Sequence, residues 1–245
     1  MIEARGLKKS FGTHPVLDGA ELRIESGESV CIIGRSGGGK SILLKHLIGL
    51  MQPDEGEVLI DGERITGMNE RDLLKVRRKF GMLFQSAALF DSLTVAENVL
   101  FSLELREDYD RRNKEDVVNG LLEMVDIAEA RNAYPADLST GYKRAVAIAR
   151  AVAAQPQCIL YDEPTTMVDP IMSDHLGDMM LRLKKQLQLT AVVVTHDLDL
   201  MYKVADRVVF LYEGSVIYHG AVSELAKSEH PHIREFLELD KVVRV

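Results

Sequence analysis

The sequence predicts an α/β fold with a mainly parallel core sheet, an N-terminal antiparallel β subdomain and an inserted helical subdomain. Three observations carry this. Four short runs, Ser29 to Ile33, Gly81 to Phe84, Cys158 to Tyr161 and Ala191 to Thr195, are almost continuously apolar, as strands covered on both faces are. Helical patterns separate them, which favours parallel strands joined by crossovers. The first run leads into the glycine-rich stretch Gly34-Arg-Ser-Gly-Gly-Gly-Lys-Ser41 and then the helical run Ile42 to Leu50.

The remaining elements follow in order. Ile2 to Leu7 and Val16 to Ile24 alternate loosely, and Val58 to Ile60 ends in the turn pair Asp61-Gly62. Together they predict a small antiparallel sheet. From about Ser86 to Pro135 the chain is helical in pattern and rich in charge. There Thr94 and Glu97 have the spacing of a capping box. Val117, Leu121, Leu122 and Val125 fall on one helical face and read as core packing. Val208 to Tyr212, the Glu213-Gly214 turn and Ser215 to Tyr218 read as a closing hairpin. The expected division is one domain over 1–245, with a core in 1–85 and 155–220, a helical subdomain in 86–154 and a helical tail in 221–245. Glu235 to Val245 is amphipathic.

Composition narrows the function. The chain has 245 residues and 46% hydrophobic content, enough for a full core. Its net charge of -8 argues against nucleic acid as a partner. Two cysteines, Cys31 and Cys158, lie in apolar runs and read as small hydrophobes in a reducing cytoplasm. The N-terminal residues lack the apolar stretch of a signal peptide, and no window approaches a membrane span. Any membrane link is expected to come through a partner.

The chemistry starts at Gly34-x-x-x-x-Gly39-Lys40-Ser41, the P-loop pattern in its required strand-to-helix setting. It predicts binding of a nucleoside triphosphate. The glycines Gly34, Gly37, Gly38 and Gly39 let backbone N–H groups approach phosphate oxygens, and the helix N-terminus adds positive partial charge. Arg35, Ser36 and Ile42 complete the expected phosphate-binding stretch. Lys40 is expected at the β- and γ-phosphates and Ser41 at Mg²⁺. The run Cys158 to Tyr161 ends in Asp162-Glu163. Asp162 is placed to hold Mg²⁺, and Glu163 to polarise the attacking water as general base.

Further stretches name a family. Ala136-Asp-Leu-Ser139-Thr140-Gly141-Tyr142 resembles the signature loop of ATP-binding cassette (ABC) proteins. Gln85, after an apolar run, resembles the Q-loop glutamine; Pro164-Thr-Thr-Met-Val-Asp169 the D-loop; and Val194-Thr-His196-Asp197 the switch histidine loop. Phe11 stands where that family places an aromatic on adenine. The resemblance spans roughly Ile2 to Gly220. It implies an ATPase using ATP and Mg²⁺, with catalytic roles for Lys40, Gln85, Glu163 and His196, and Gln85 also at the metal. It implies a head-to-tail homodimer in which Ser139, Thr140, Gly141 and Asp169 of one copy close on the other's nucleotide. The sequence departs from the pattern at Thr140, Tyr142, Ala145, Met167 and Val168.

Within the family, the P-loop with Leu43 to Leu50, the segment Gly81 to Phe90 and Asp169-Pro170-Ile171 resemble the Mla/Mce-type phospholipid transport ATPases. That resemblance implies a peripheral subunit on the cytoplasmic face of a bacterial inner membrane. Its partners would be integral membrane permease subunits, indirectly an Mce-type lipid-binding protein, and in some relatives a small regulatory subunit. Ala87, Ala88, Leu89 and Phe90 would receive the permease. The other readings are an ABC ATPase for another solute, such as an amino acid, a soluble cassette or scaffold without a permease, and a slow nucleotide-sensing module.

Overall fold

The computed structural model describes residues 1–106 and 113–243, and side chains within its last helix up to 238. The tail expectation therefore lies in part outside the described residues. The elements in chain order are β1 (Ile2–Phe11), β2 (His14–Ile24), β3 (Ser29–Ile33), α1 (Lys40–Leu47), β4 (Glu55–Ile60), β5 (Glu63–Arg64), α2 (Glu70–Arg77), β6 (Phe80–Leu83), α3 (Val95–Glu104) and α4 (Lys114–Met124), followed by α5 (Thr140–Ala153), β7 (Cys158–Asp162), α6 (Pro170–Leu187), β8 (Thr190–Val194), α7 (Leu198–Val204), β9 (Arg207–Tyr212), β10 (Ser215–Ala221), α8 (Val222–Leu225) and α9 (Pro231–Val243). The chain divides into two compact units, Met1–Arg77 with Thr190–Val245, and Arg78–Leu189.

The first unit holds two sheets. One is antiparallel, in the order β2-β1-β4-β5. In the other, β3 pairs in parallel with β8 and β9, and β10 closes antiparallel on β9. All five residues of β3 and all five of β8 are buried, as expected for short runs that are mainly apolar and carry no charged side chain. The sheets are tied where the Asp18 N–H donates to the Gly214 carbonyl at 2.9 Å and the Ser215 hydroxyl to the Asp18 carbonyl at 2.7 Å.

The second unit pairs β6 with β7 in parallel, and α3, α4 and α5 pack beside them. α5 is the apolar centre of this unit: Ala145, Val146, Ala147, Ile148 and Ala149 are completely buried. The capping box holds, with the Thr94 N–H donating to the Glu97 carboxylate at 2.7 Å and the Glu97 N–H to the Thr94 hydroxyl at 3.3 Å.

Three details differ from the sequence reading. α1 stops at Leu47, because Gly49 turns left-handed (φ 65) and its position leaves no room beside Leu73. β6 ends at Leu83, before Phe84 and an exposed Gln85. In α4 the inward face is Val118 and Leu122, continued by Val125, while Val117 and Leu121 are half-buried. Val117 and Val118 are both apolar, so pattern alone does not choose between them.

Candidate nucleotide site

In the first unit, the buried strand β3 delivers the chain into the glycine loop. Gly34 (φ 146), Gly37 (φ 76) and Gly39 (φ 91) occupy backbone space that side chains rarely enter. Two of them are also sterically fixed: a Cβ on Gly34 would run into the Leu211 carbonyl, and one on Gly39 would sit 2.8 Å from the Val16 carbonyl. Gly39 is the N-cap of α1, with the Leu43 N–H donating to its carbonyl at 2.8 Å. Lys40 is buried, and its ammonium donates to the carbonyls of Gly34 and Arg35, both at 3.0 Å. The loop is thus wound around the cation. A cleft of about 510 Å³ lies beside it, lined by Val16, Arg35, Gly37, Leu211 and Tyr212 among others.

Around this loop, Ser41 and Ile42 are half-buried and Ser36 is exposed. The Arg35 guanidinium pairs with Glu235 of α9 at 2.5 Å, and the Tyr212 and His232 rings stack with centroids 3.9 Å apart. Phe11 is half-exposed at the end of β1, with the Lys9 ammonium 5.9 Å from its ring centre. β1 is an inner strand rather than an edge. His196 is exposed just past β8, and behind it the Asp197 N–H donates to the Thr195 hydroxyl at 3.0 Å, while Asp197 caps α7.

In the second unit, β7 ends in the carboxylate pair. Asp162 and Glu163 are both buried. Glu163 takes a left-handed backbone (φ 51), a strained setting for a residue with a side chain. Its carboxylate accepts from the Thr166 hydroxyl at 3.1 Å. Burial pulls the Arg144 guanidinium below its ordinary range, and the Asp162 charge opposes this by favouring the charged form.

Comparison with known proteins completes the picture. The family profile described as ABC transporter matches residues 17–166. The chain belongs to the ABC transporter family. It is 38% identical to the methionine import ATP-binding protein MetN of Mesorhizobium japonicum, over 98% of this chain and 67% of that protein. It is 35% identical to the probable ribonucleotide transport ATP-binding protein mkl of Mycobacterium leprae, over 96% of this chain and 68% of that protein. Across such relatives the chain spans 61% to 74% of their length. Among solved structures, the dimeric structure of a bacterial ABC transporter cassette superimposes with a TM-score of 0.84 at 33% identity, covering 91% of this chain and 99% of that one. A dimeric post-hydrolysis cassette bound to ADP and Pi gives 0.83 at 32%, covering 91% and 99%. The fold class is that of the ABC cassette, an ATPase whose cofactors are ATP and Mg²⁺.

The stretch expected as the ABC signature loop is formed by local rules. Ser139 is the N-cap of α5 and accepts from the Tyr142 N–H at 3.3 Å. Gly141 is buried under Met172 of α6, whose side chain fills the space a Cβ would need. Tyr142, in place of the family's usual glutamine, donates its hydroxyl to Glu129 at 2.8 Å. Asp169 caps α6 by accepting from the Met172 N–H at 3.0 Å; Met167, in the stretch expected as the D-loop, and Ile171, in the first turn of α6, are 88% and 85% exposed.

Sequence reading overlooked three polar side chains in this unit. Arg144 is buried and donates to the Phe84 carbonyl at 3.1 Å. Arg150 donates to the carbonyls of Ala88 at 2.6 Å and Ala87 at 3.0 Å. Asn98 is completely buried and bonds the Phe90 N–H and carbonyl and the carbonyls of Leu93 and Thr94. The signal was present: Arg150 interrupts an otherwise apolar run, and Asn98 sits in the apolar pattern of α3. The expected permease-facing stretch is also altered. Ala87 is buried, while Phe90 is exposed and packs on the exposed Phe101 with ring centroids 4.7 Å apart.

Proposed function

We propose that this chain hydrolyses ATP as the motor subunit of an ABC transporter, working with a second copy of itself and with membrane permease subunits. The observation that carries the proposal is the glycine loop wound around a buried Lys40. Lys40 and the loop N–H groups would hold the phosphates of ATP, with Arg35, Ser36 and Ile42 completing the stretch and Phe11 under the adenine. Ser41, Gln85 and Asp162 offer the oxygen donors that Mg²⁺ prefers. No group of three or more metal-ligating His, Cys, Asp or Glu side chains occurs among the described residues. Glu163 would take the proton of the attacking water, and His196 would steady the charge on the transferred phosphoryl group. Ser139, Thr140, Gly141 and Asp169 would act on the second copy's nucleotide.

The test is turnover by the purified chain. Lys40→Ala is expected to abolish ATPase activity, and Glu163→Gln to cut it by about 10²- to 10⁴-fold, the ordinary worth of a general base, while trapping an ATP-bound dimer on gel filtration. Wild-type turnover at the Lys40→Ala level, or a Glu163→Gln chain that stays monomeric in ATP, would overturn the proposal.

Two cargos follow from different observations. The relatives named for methionine import and ribonucleotide transport favour a small polar solute. The residues from Gly34 to Leu50 and Gly81 to Phe90 favour phospholipid, through an Mce-type partner and in some relatives a regulatory subunit. No described helix is long and apolar enough to cross a membrane, so a place on the cytoplasmic face of a bacterial membrane rests on the permease. Stimulation of ATPase activity by the reconstituted permease with methionine, or with phospholipid and the lipid-binding protein, separates the two.

A further inference from the structure

The segment from Phe84 to Thr94 follows β6 and carries Gln85, yet it contains no glycine. Ala87 (φ 60) and Ala88 (φ 48) are consecutive left-handed residues. A left-handed backbone is unfavourable for alanine and persists only where the surroundings impose it. Here the surroundings are identifiable. Arg150 donates to both alanine carbonyls and Arg144 to the Phe84 carbonyl. Both arginines project from α5, whose first turn carries Ser139, Thr140 and Gly141. Arg144 has a further buried donor, Nε, with no hydrogen-bond partner among the described residues. At the far end, Asn98 fixes Phe90, Leu93 and Thr94, and the Arg150 guanidinium lies 5.9 Å from the centre of the Phe90 ring.

We propose that Arg150, with Arg144, is a positioning residue that holds the two left-handed alanines and so sets the place of Gln85, making the signature helix α5 and the Gln85 segment a single mechanical part. A guanidinium is suited to this because it is rigid and presents paired donors in one plane; a lysine ammonium can reach the same carbonyls but fixes no plane. Because α5 begins at the signature loop, a shift of that loop would be carried along a hydrogen-bonded helix to the carbonyls beside Gln85. This inference rests on the role given to Gln85 above only in its catalytic consequence, not in its structural one.

The test uses the full chain and two readouts. Arg150→Ala is expected to speed amide exchange about tenfold or more in 85–90 while the rest of the 78–189 unit keeps its protection. It is expected to lower kcat about tenfold, leave KM for ATP within about twofold, and raise the Mg²⁺ concentration for half-maximal activity. Arg150→Lys should recover part of both effects. Ala87→Gly with Ala88→Gly in the Arg150→Ala chain should restore kcat to within a few-fold, because glycine adopts the left-handed form unaided. Unchanged exchange in 85–90, uniform loss of protection across the unit, or no recovery by the glycines would overturn the proposal. Gln85→Ala is the separate control: if it alters neither kcat nor the Mg²⁺ requirement, the role of Gln85 fails while the exchange arm still judges the clamp. Should Arg150→Ala fail to fold, Arg150→Lys is read by the same two measurements, with wild-type values in both counting against the clamp.

Discussion

The loop from Gly34 to Ser41 and the segment from Phe84 to Thr94 both follow a buried strand and both leave ordinary backbone space, but they are held in opposite ways. In the first, glycine supplies the conformation, and at Gly34 and Gly39 the surrounding backbone leaves no room for a Cβ. In the second, two alanines take left-handed dihedrals at about 1–2 kcal/mol each; Arg150 of α5 holds their carbonyls, and Asn98 of α3 holds the chain beyond them at Phe90. A glycine loop is permissive by its own chemistry. An alanine segment clamped from outside has the shape its clamps give it, so its shape depends on where those helices are.

The comparison can be broken most severely at Gly39. Gly39→Ala combines a positive φ with a Cβ 2.8 Å from the Val16 carbonyl. It is expected to cost about 3 kcal/mol or more, the top of the range for a strained backbone site, because the clash adds to the strain, and to abolish binding of a fluorescent ATP analogue. Binding at wild-type strength would show that the loop does not need glycine. Next comes Asn98→Ala, which leaves backbone groups at Phe90, Leu93 and Thr94 without their side-chain partner. About 2–3 kcal/mol is expected, read as a lower urea midpoint, and a neutral result would reduce the clamp to the arginines.

The smallest effect sharpens the first region through pH. His46, in α1, is buried, and burial holds its imidazole below the ordinary range, with the Lys9 charge adding to the effect and Asp54 opposing it. Its Nδ1 lies 2.7 Å from the Ile42 carbonyl, which suits a neutral ring protonated on Nδ1. A lowered native pKa means that the unfolded chain binds the proton more readily. The stabilising contribution is therefore complete above the unfolded value of about 6.5 and is lost as pH falls from there through the lower folded value. His219, also pulled down by burial, has the same sign. The urea midpoint should drop between pH 7.5 and 5.5, less so in His46→Gln; a midpoint that rises on acidification would contradict the assignment.

Much of this was legible in the sequence, for reasons that differ by residue. Ser29 to Ile33 was readable as a buried strand because every side chain after Ser29 is apolar, and Thr94 with Glu97 because a capping box is local. Ser139 as a helix cap is local too. The inward face of α4 was not, since Val117 and Val118 are equivalent to any pattern. The clamp was invisible for a different reason: Arg150 reaches carbonyls 63 and 62 residues earlier in the chain, and a backbone carbonyl leaves no trace in a sequence. The fold class, ATPase chemistry and Mg²⁺-ATP stand with the family. The phospholipid cargo rests on resemblance in short stretches, and the relatives reported above are named for other cargos.

The two cysteines have a use that their chemistry alone does not suggest. Cys31 lies in β3 and Cys158 in β7, both wholly buried with thiols pushed far above their ordinary range, and each compact unit contains one of them. Neither thiol reacts while its strand stays paired and covered. The chain therefore carries a built-in pair of stopwatches: the rate at which each sulfur becomes alkylated times the opening of its own unit, without any label being introduced.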